Sequence, residues 1–152
     1  EEGRGEKILL PVGDCADGTV PLEIRVGLSF VSTDNAKENL LKESGTKTFE
    51  QVKADASDKW ETLLSKIQVT GGTEREKGLF YSCLYRSFLW PALRSDVNGE
   101  YTDVKGNVVH ADWNFYTLPS LWDTYRNKLV LLGLLSPDVT VDVIRSLIDL
   151  CE

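Results

Sequence analysis

Residues 116–135, YTLPSLWDTYRNKLVLLGLL, constrain this chain more than any other stretch. Pro119 cannot continue a helix arriving from upstream, and Ser120 is a favourable N-cap. Asp123 follows Ser120 at the capping-box spacing, with Asp in place of Glu or Gln. Leu121, Trp122, Tyr125, Leu129, Leu132 and Leu135 recur at roughly helical spacing, which predicts a helix over about 120–135. Ser136-Pro137 closes it and opens another, with Ser136 as N-cap and Pro137 at the first helical position. A Trp-Asp pair therefore falls in the first turn of a helix, at the positive end of its dipole. Such a place suits a sugar, with an aromatic face to stack on and a carboxylate to accept hydroxyl hydrogens. Spacing alone favours a structural alternative, in which Trp122 is a core tryptophan and Asp123 a capping carboxylate.

Other helices are punctuated in the same way. Ser32 to Asp34 cap a short helix at about 35–43. Thr48 with Gln51 is a capping box, and the helix after it sets Ala56, Trp60, Leu63, Leu64 and Ile67 on one face. After the break at Gly71-Gly72, Thr73 with Glu76 is another capping box. Leu79, Phe80, Cys83, Leu84, Ser87 and Phe88 follow as a stripe, and Pro91 ends that helix. The last helix, from Pro137, buries Val143, Ile144, Leu147, Ile148 and Cys151 and reaches the end of the chain with no C-cap.

The β content is small. Leu22, Ile24, Val26, Leu28 and Phe30 alternate with Glu23, Arg25, Gly27 and Ser29, the pattern of a half-buried strand. One strand needs sheet partners, and only weak candidates near Ile8 and near Val108-Val109 are available. Residues 92–119 read as a long irregular connection, marked by Asp96, Asn98, Gly99, Gly106 and Asn107, and its aromatics argue against disorder. The expectation is an α+β chain, mainly α. The lone strand and the uncapped last helix read as signs of a piece of something larger. The start, EEGRGEK, fits either a mature chain or one that begins inside a longer protein.

Composition excludes several functions. A net charge of −7 with no Lys/Arg-rich run argues against a nucleic-acid surface. No apolar run has transmembrane length, so no membrane partner is expected. Cys15, Cys83 and Cys151 have neither metal-site nor disulfide-framework spacing, and Cys83 and Cys151 read as small core residues. His110 is the single histidine and lies far from any nucleophile signature, so it reads as a surface loop residue. The acidic loop SDVNGEYTD, residues 95–103, fails the EF-hand template and reads as a turn whose polar side chains bond their own backbone. Asp138, Asp142 and Asp149 read as a solvated helix face.

SDVNGEY (95–101) followed by YTLPSLWDTYR (116–126) resembles the calcium-dependent exo-acting α-1,2-mannosidases of glycoside hydrolase family 92. The similarity extends through FYSCLYRSFLWP (80–91), WETLLSKIQVTGGTE (60–74) and RVGLSFVSTDNAKENL (25–40), and covers roughly residues 20–152. The resemblance implies removal of a terminal α-linked mannose with inversion, Ca2+ dependence and mannose-containing glycans as substrates. It implies that residues 1–31 close a β-sandwich, 32–72 form a helical linker and 73–152 begin an (α/α)6 barrel. Trp122 and Asp123 would line the terminal-mannose subsite, with Arg126 as an orienting neighbour. The family's acid, base and calcium ligands lie in later segments, so no catalytic or metal residue is expected in this chain, which would be inactive alone and would need the remainder of the barrel. A secreted or extracytoplasmic location is suggested by the family only. The alternatives are a non-catalytic mannose-binding module and a helical interaction module.

Overall fold

The computed structural model describes residues 23–117 and 121–151, without the side chain of Asp123. The weak strand near Ile8, Cys15 and the Pro119-Ser120 helix start lie outside the described residues. The architecture is mainly helical. Helix α1 spans Thr33–Glu43, α2 Phe49–Leu64 and α3 Glu74–Ser87. Strands β1 (Glu100–Thr102) and β2 (Val108–His110) follow, then α4 (Leu121–Thr124), α5 (Lys128–Leu135) and α6 (Pro137–Asp149).

Caps set the first three helices. Ser32 Oγ accepts the Asn35 amide at 3.0 Å to start α1. Both predicted capping boxes form. Thr48 N–H donates to Gln51 Oε1 at 2.8 Å and Thr73 N–H to Glu76 Oε2 at 2.7 Å, while each threonine hydroxyl accepts from the backbone three residues on. The bond from Thr73 also holds the Glu76 carboxyl below its ordinary pKa. Helices α2 and α3 meet through Trp60 and Tyr85, whose ring centroids are 4.4 Å apart. The Tyr81 hydroxyl fixes their connection by donating to the Ile67 carbonyl at 3.0 Å and accepting the Val69 amide. Along the α3 stripe Leu84 is buried, whereas Leu79 and Cys83 face solvent.

The predicted irregular connection is partly ordered by an antiparallel hairpin. Strand β1 pairs with β2 in the register Glu100↔His110, Tyr101↔Val109, Thr102↔Val108. Gly106 turns the hairpin at φ +86°, and Asp103 takes the Asn107 amide at 2.7 Å. Beyond it Leu93 and Tyr116 form an antiparallel bridge, flanked by Thr117 N–H to the Ala92 carbonyl and Arg94 N–H to the Phe115 carbonyl, both at 2.8 Å. The core sits here: Tyr101 (1% exposed) stacks on Phe115 (2%) at 4.2 Å and 6° between planes.

Several expectations need correction. Residues 23–30 form no strand among the described residues, and Ile24, Val26, Leu28 and Phe30 are exposed. The alternation is real, but no described segment offers it a ladder. The segment lies on α1 instead: a Cβ on Gly27 would come within 2.1 Å of the Ala36 carbonyl oxygen, so only glycine permits the approach. The single helix expected over 120–135 is two, α4 and α5, with a turn at 125–127. Thr124, Tyr125 and Asn127 are weak helix formers, and Asn127 precedes α5 without a side-chain cap bond. Ser136 likewise makes no side-chain cap bond to α6. Cys83 and Cys151 are exposed, not core residues. On α6, Val143 and Ser146 are buried and Ile144 and Ile148 exposed. Asp142 and Asp149 do not form a solvated face: Asp142 Oδ2 accepts the Asn114 amide at 3.1 Å, and Asp149 Oδ1 accepts the Tyr101 hydroxyl at 2.9 Å.

Candidate functional site

The SDVNGEY loop is organised by Asp96, which is 7% exposed. A buried carboxylate is tolerable only when its lone pairs are filled. Asp96 Oδ2 accepts from the Ser29 hydroxyl at 2.6 Å and Asn35 Nδ2 at 2.8 Å, and Oδ1 accepts from Asn39 Nδ2 at 2.7 Å. Asn35 and Asn39 stand one turn apart on α1, so the pair presents two amides from one helix face. Asn35 Nδ2 also reaches Glu100 Oε2 at 2.8 Å, and Asn39 Oδ1 accepts the Val97 amide at 2.9 Å. Only part of the loop bonds its own backbone, through Asn98 Oδ1 and the Glu100 amide. Asp96, Glu100 and Thr102 instead reach α1 and the segment before it.

These contacts decide what the acidic loop can hold. Three neutral donors already surround Asp96, which leaves an arrangement matched to amides and a hydroxyl rather than to a cation needing six to eight oxygens. Among the described residues, no group of three or more His, Cys, Asp or Glu side chains could hold a metal ion. Asp96 and the described side chains around it do not fit calcium.

The Asp96 loop is joined to the stretch that leads into α4. Ser95 Oγ accepts the Phe115 amide at 3.1 Å, and the Phe115 carbonyl accepts the Arg94 and Ser95 amides. Behind this ladder, Ser146 Oγ on α6 accepts the Tyr116 amide at 2.9 Å. Residues 114–117 are therefore held on two sides just before the Trp-Asp helix.

Trp122 stands on α4 with 85% of its surface exposed. The described residues of this chain do not bury this tryptophan. A tryptophan ring in water is costly, since burial of such a ring contributes several kcal/mol. Its sequence neighbours Leu121 and Tyr125 are also exposed. The Asp123 side chain lies outside the described residues, so its expected capping and sugar contacts do too. Arg126 is exposed, and its Nε donates to the Tyr125 hydroxyl at 2.7 Å with the guanidinium 5.5 Å from that ring's centre. Nearby Lys128 lies over the Trp90 ring at 5.1 Å, and burial lowers its pKa. His110 is exposed, on β2 rather than in a loop.

The model of the glycosyl hydrolase family 92 catalytic domain matches residues 35–152. The chain belongs to glycosyl hydrolase family 92. It is 32% identical over 117 residues to an uncharacterised secreted glycosidase of Arthroderma benhamiae, a match covering 74% of this chain and 14% of that protein. Among solved structures, the family 92 α-mannosidase BT3965 of Bacteroides thetaiotaomicron superposes with a TM-score of 0.76 at 32% identity, over 80% of this chain and 16% of that one. The same mannosidase in complex with mannoimidazole gives 0.76 at 33% identity, again over 80% and 16%. The family 92 hydrolase ccman5 gives 0.76 at 26% identity, over 80% of this chain and 17% of its own. The chain thus spans about one-sixth of the family 92 structures it matches.

Asn35, Asn39 and Ser29 were missed by sequence reasoning. The i, i+4 spacing of the two asparagines on a capped helix was the available signal; their partner, some sixty residues away, was not.

Proposed function

We propose that this chain contributes part of the mannose-contacting wall of a calcium-dependent exo-α-1,2-mannosidase that removes terminal α-mannose with inversion. Trp122 stacks on the apolar face of the sugar, Asp123 accepts hydrogen bonds from its hydroxyls, and Arg126, held by Tyr125, orients the polar edge of the subsite. The observation that carries this reading is Trp122, 85% exposed within the matched family region. Family membership and a mannoimidazole complex of a similar α-mannosidase support it.

Inversion needs an acid for the leaving oxygen and a base for water, about 6.5–9.5 Å apart. Asp96, the most buried described carboxylate, is committed to three donors, and Asp149 to Tyr101. We therefore place the acid, the base and the calcium ligands outside these residues, in the remainder of an (α/α)6 barrel begun by residues 73–152. In the same reading residues 1–31 close a β-sandwich and 32–72 are the linker. The exposed Val130 and Leu134 on α5 and Val141, Ile144 and Ile148 on α6 are the surfaces that further barrel helices would cover. The secreted relative supports an extracytoplasmic location.

The test is mannose release from α-1,2-mannobiose by this chain, with calcium and then with a chelator. No release in either condition is expected. Chelator-sensitive release would put the acid, base and calcium ligands among these residues and overturn the division of labour.

A further inference from the structure

We infer that Lys128 is a positioning residue for Tyr125 and Arg126, acting through its contact with the face of Trp90, an inference that rests on the role in the sugar subsite proposed for Arg126. Lys128 Nζ lies 5.1 Å from the centre of the Trp90 ring. Its place is unfavourable on two counts. Lys128 opens α5, where the positive end of the helix dipole disfavours a cation, and no acidic residue stands in that first turn to offset it. Burial also strips part of its water and lowers its pKa. Among the described side chains no carboxylate pairs with it. The π-face of Trp90 offsets these costs, and such a contact strengthens as water is excluded.

The contact ties two separate parts of the chain. Trp90 is half-buried just ahead of Ala92, whose carbonyl accepts the Thr117 amide at 2.8 Å, and of Leu93, which bridges to Tyr116. Lys128 begins α5 immediately after the turn at 125–127. The side chains of that turn do little to fix it. Tyr125, Arg126 and Asn127 are exposed, Asn127 makes no side-chain cap bond, and Arg126 Nε donates to the Tyr125 hydroxyl within the turn itself. The turn is instead slung between two anchors. Thr124 is buried at the end of α4, and the Tyr125 amide donates to the Leu121 carbonyl at 3.2 Å. On the other side Lys128 rests on Trp90, and the Leu131 amide donates to the Asn127 carbonyl at 2.9 Å. Every residue from Leu121 to Leu131 lies in described backbone, so holding the first residue of α5 against Trp90 sets where the turn projects Tyr125 and Arg126.

The experiment records the arginine Nε–Hε resonances of 15N-labelled chain and the ring signals of 13C-labelled tyrosine, with Arg126 and Tyr125 assigned by Arg126→Lys and Tyr125→Phe. Without ligand, Trp90→Leu, far from the turn in sequence, should move or broaden both signals, and so should Lys128→Met. Trp90→Phe and Lys128→Arg keep a ring and a cation and should leave them near their original positions. The effect of Trp90→Leu should disappear in the Lys128→Met background, because the two groups act as one pair. The indole N–H signal of Trp60, on α2, should stay in place throughout. Mannoimidazole affinity should fall about fivefold in Lys128→Met and recover in Lys128→Arg, the scale of one partly dehydrated cation–π contact. Signals unmoved by Trp90→Leu, effects of the two substitutions that simply add, or shifts that come only together with Trp60 overturn the positioning role. If Trp90→Leu does not fold, Lys128→Met and Lys128→Arg decide, and failure of arginine to restore the signals overturns it. If the unaltered chain fails to bind mannoimidazole while the ligand-free signals behave as expected, the sugar reading fails and the positioning of Tyr125 and Arg126 by Lys128 stands.

Discussion

The Tyr101 hydroxyl donates to Asp149 Oδ1 over 2.9 Å and so joins the first strand of the hairpin to the last helix. The bond lies at the edge of the best-packed region, where Tyr101 stacks on Phe115 and only 1% of its surface is exposed. Through it the hairpin and α6 hold residues 114–117 between them.

Tyr101→Phe keeps the stack and removes the donor. Unfolding in urea should show a loss of about 1–1.5 kcal/mol, the net value of one such bond. Burial, and then Asp149, push the Tyr101 pKa up to about 12. The unfolded chain releases this proton near pH 10 and the folded chain holds it, so the stabilisation is complete below pH 10 and is lost as pH rises through about 12. An alkaline unfolding titration should therefore be shallower above pH 10 for Tyr101→Phe than for the unaltered chain.

Thr73 starts α3 with a two-way cap. Thr73→Ala should cost about 1 kcal/mol in the same urea measurement. Glu76 should then titrate at a somewhat higher pH by carbon-13 NMR, because the hydroxyl bond that helps to hold its pKa down is gone while the larger contribution, from the backbone N–H at position 73, remains.

Leu132 is 4% exposed between α5 and α6, whereas Leu134 on the same helix is 76% exposed. Leu132→Ala should cost about 2–4 kcal/mol, and Leu134→Ala should stay within about 0.5 kcal/mol. Comparable losses at the two positions would mean that the exposed face is covered, for instance by self-association.

Cys83 and Cys151 face solvent. Both should react with a thiol reagent in the native chain without denaturant, and Cys83→Ser should leave the melting temperature unchanged. Slow labelling that requires denaturant would restore the core reading of these residues.

What could be read from the sequence was local. Thr48 and Thr73 announced α2 and α3 because a capping box is a statement about four consecutive residues. The break at 125–127 was hidden because Leu121, Leu129 and Leu132 keep helical spacing across it. The burial of Asp96 could not be foreseen, since its donors come from Ser29, Asn35 and Asn39, distant in sequence. Asp142 and Asp149 looked solvated because their partners, Asn114 and Tyr101, belong to other elements. Trp122 is apolar in any periodicity count, so spacing pointed inward. The Trp-Asp pair at a helix start and the resemblance carried by WDTYR were what pointed to a sugar, and in this chain the ring is 85% exposed.

The central claim is that Trp122 meets mannose. The most direct test is calorimetric titration of this chain with mannoimidazole, repeated with Trp122→Ala. That variant removes an exposed ring, so its stability should stay within about 0.5 kcal/mol of the parent. The account predicts binding by the parent and its loss, by about tenfold or more, in Trp122→Ala, the scale of a lost sugar–aromatic stack. Equal affinity in the two proteins, or no binding by the parent, would contradict it.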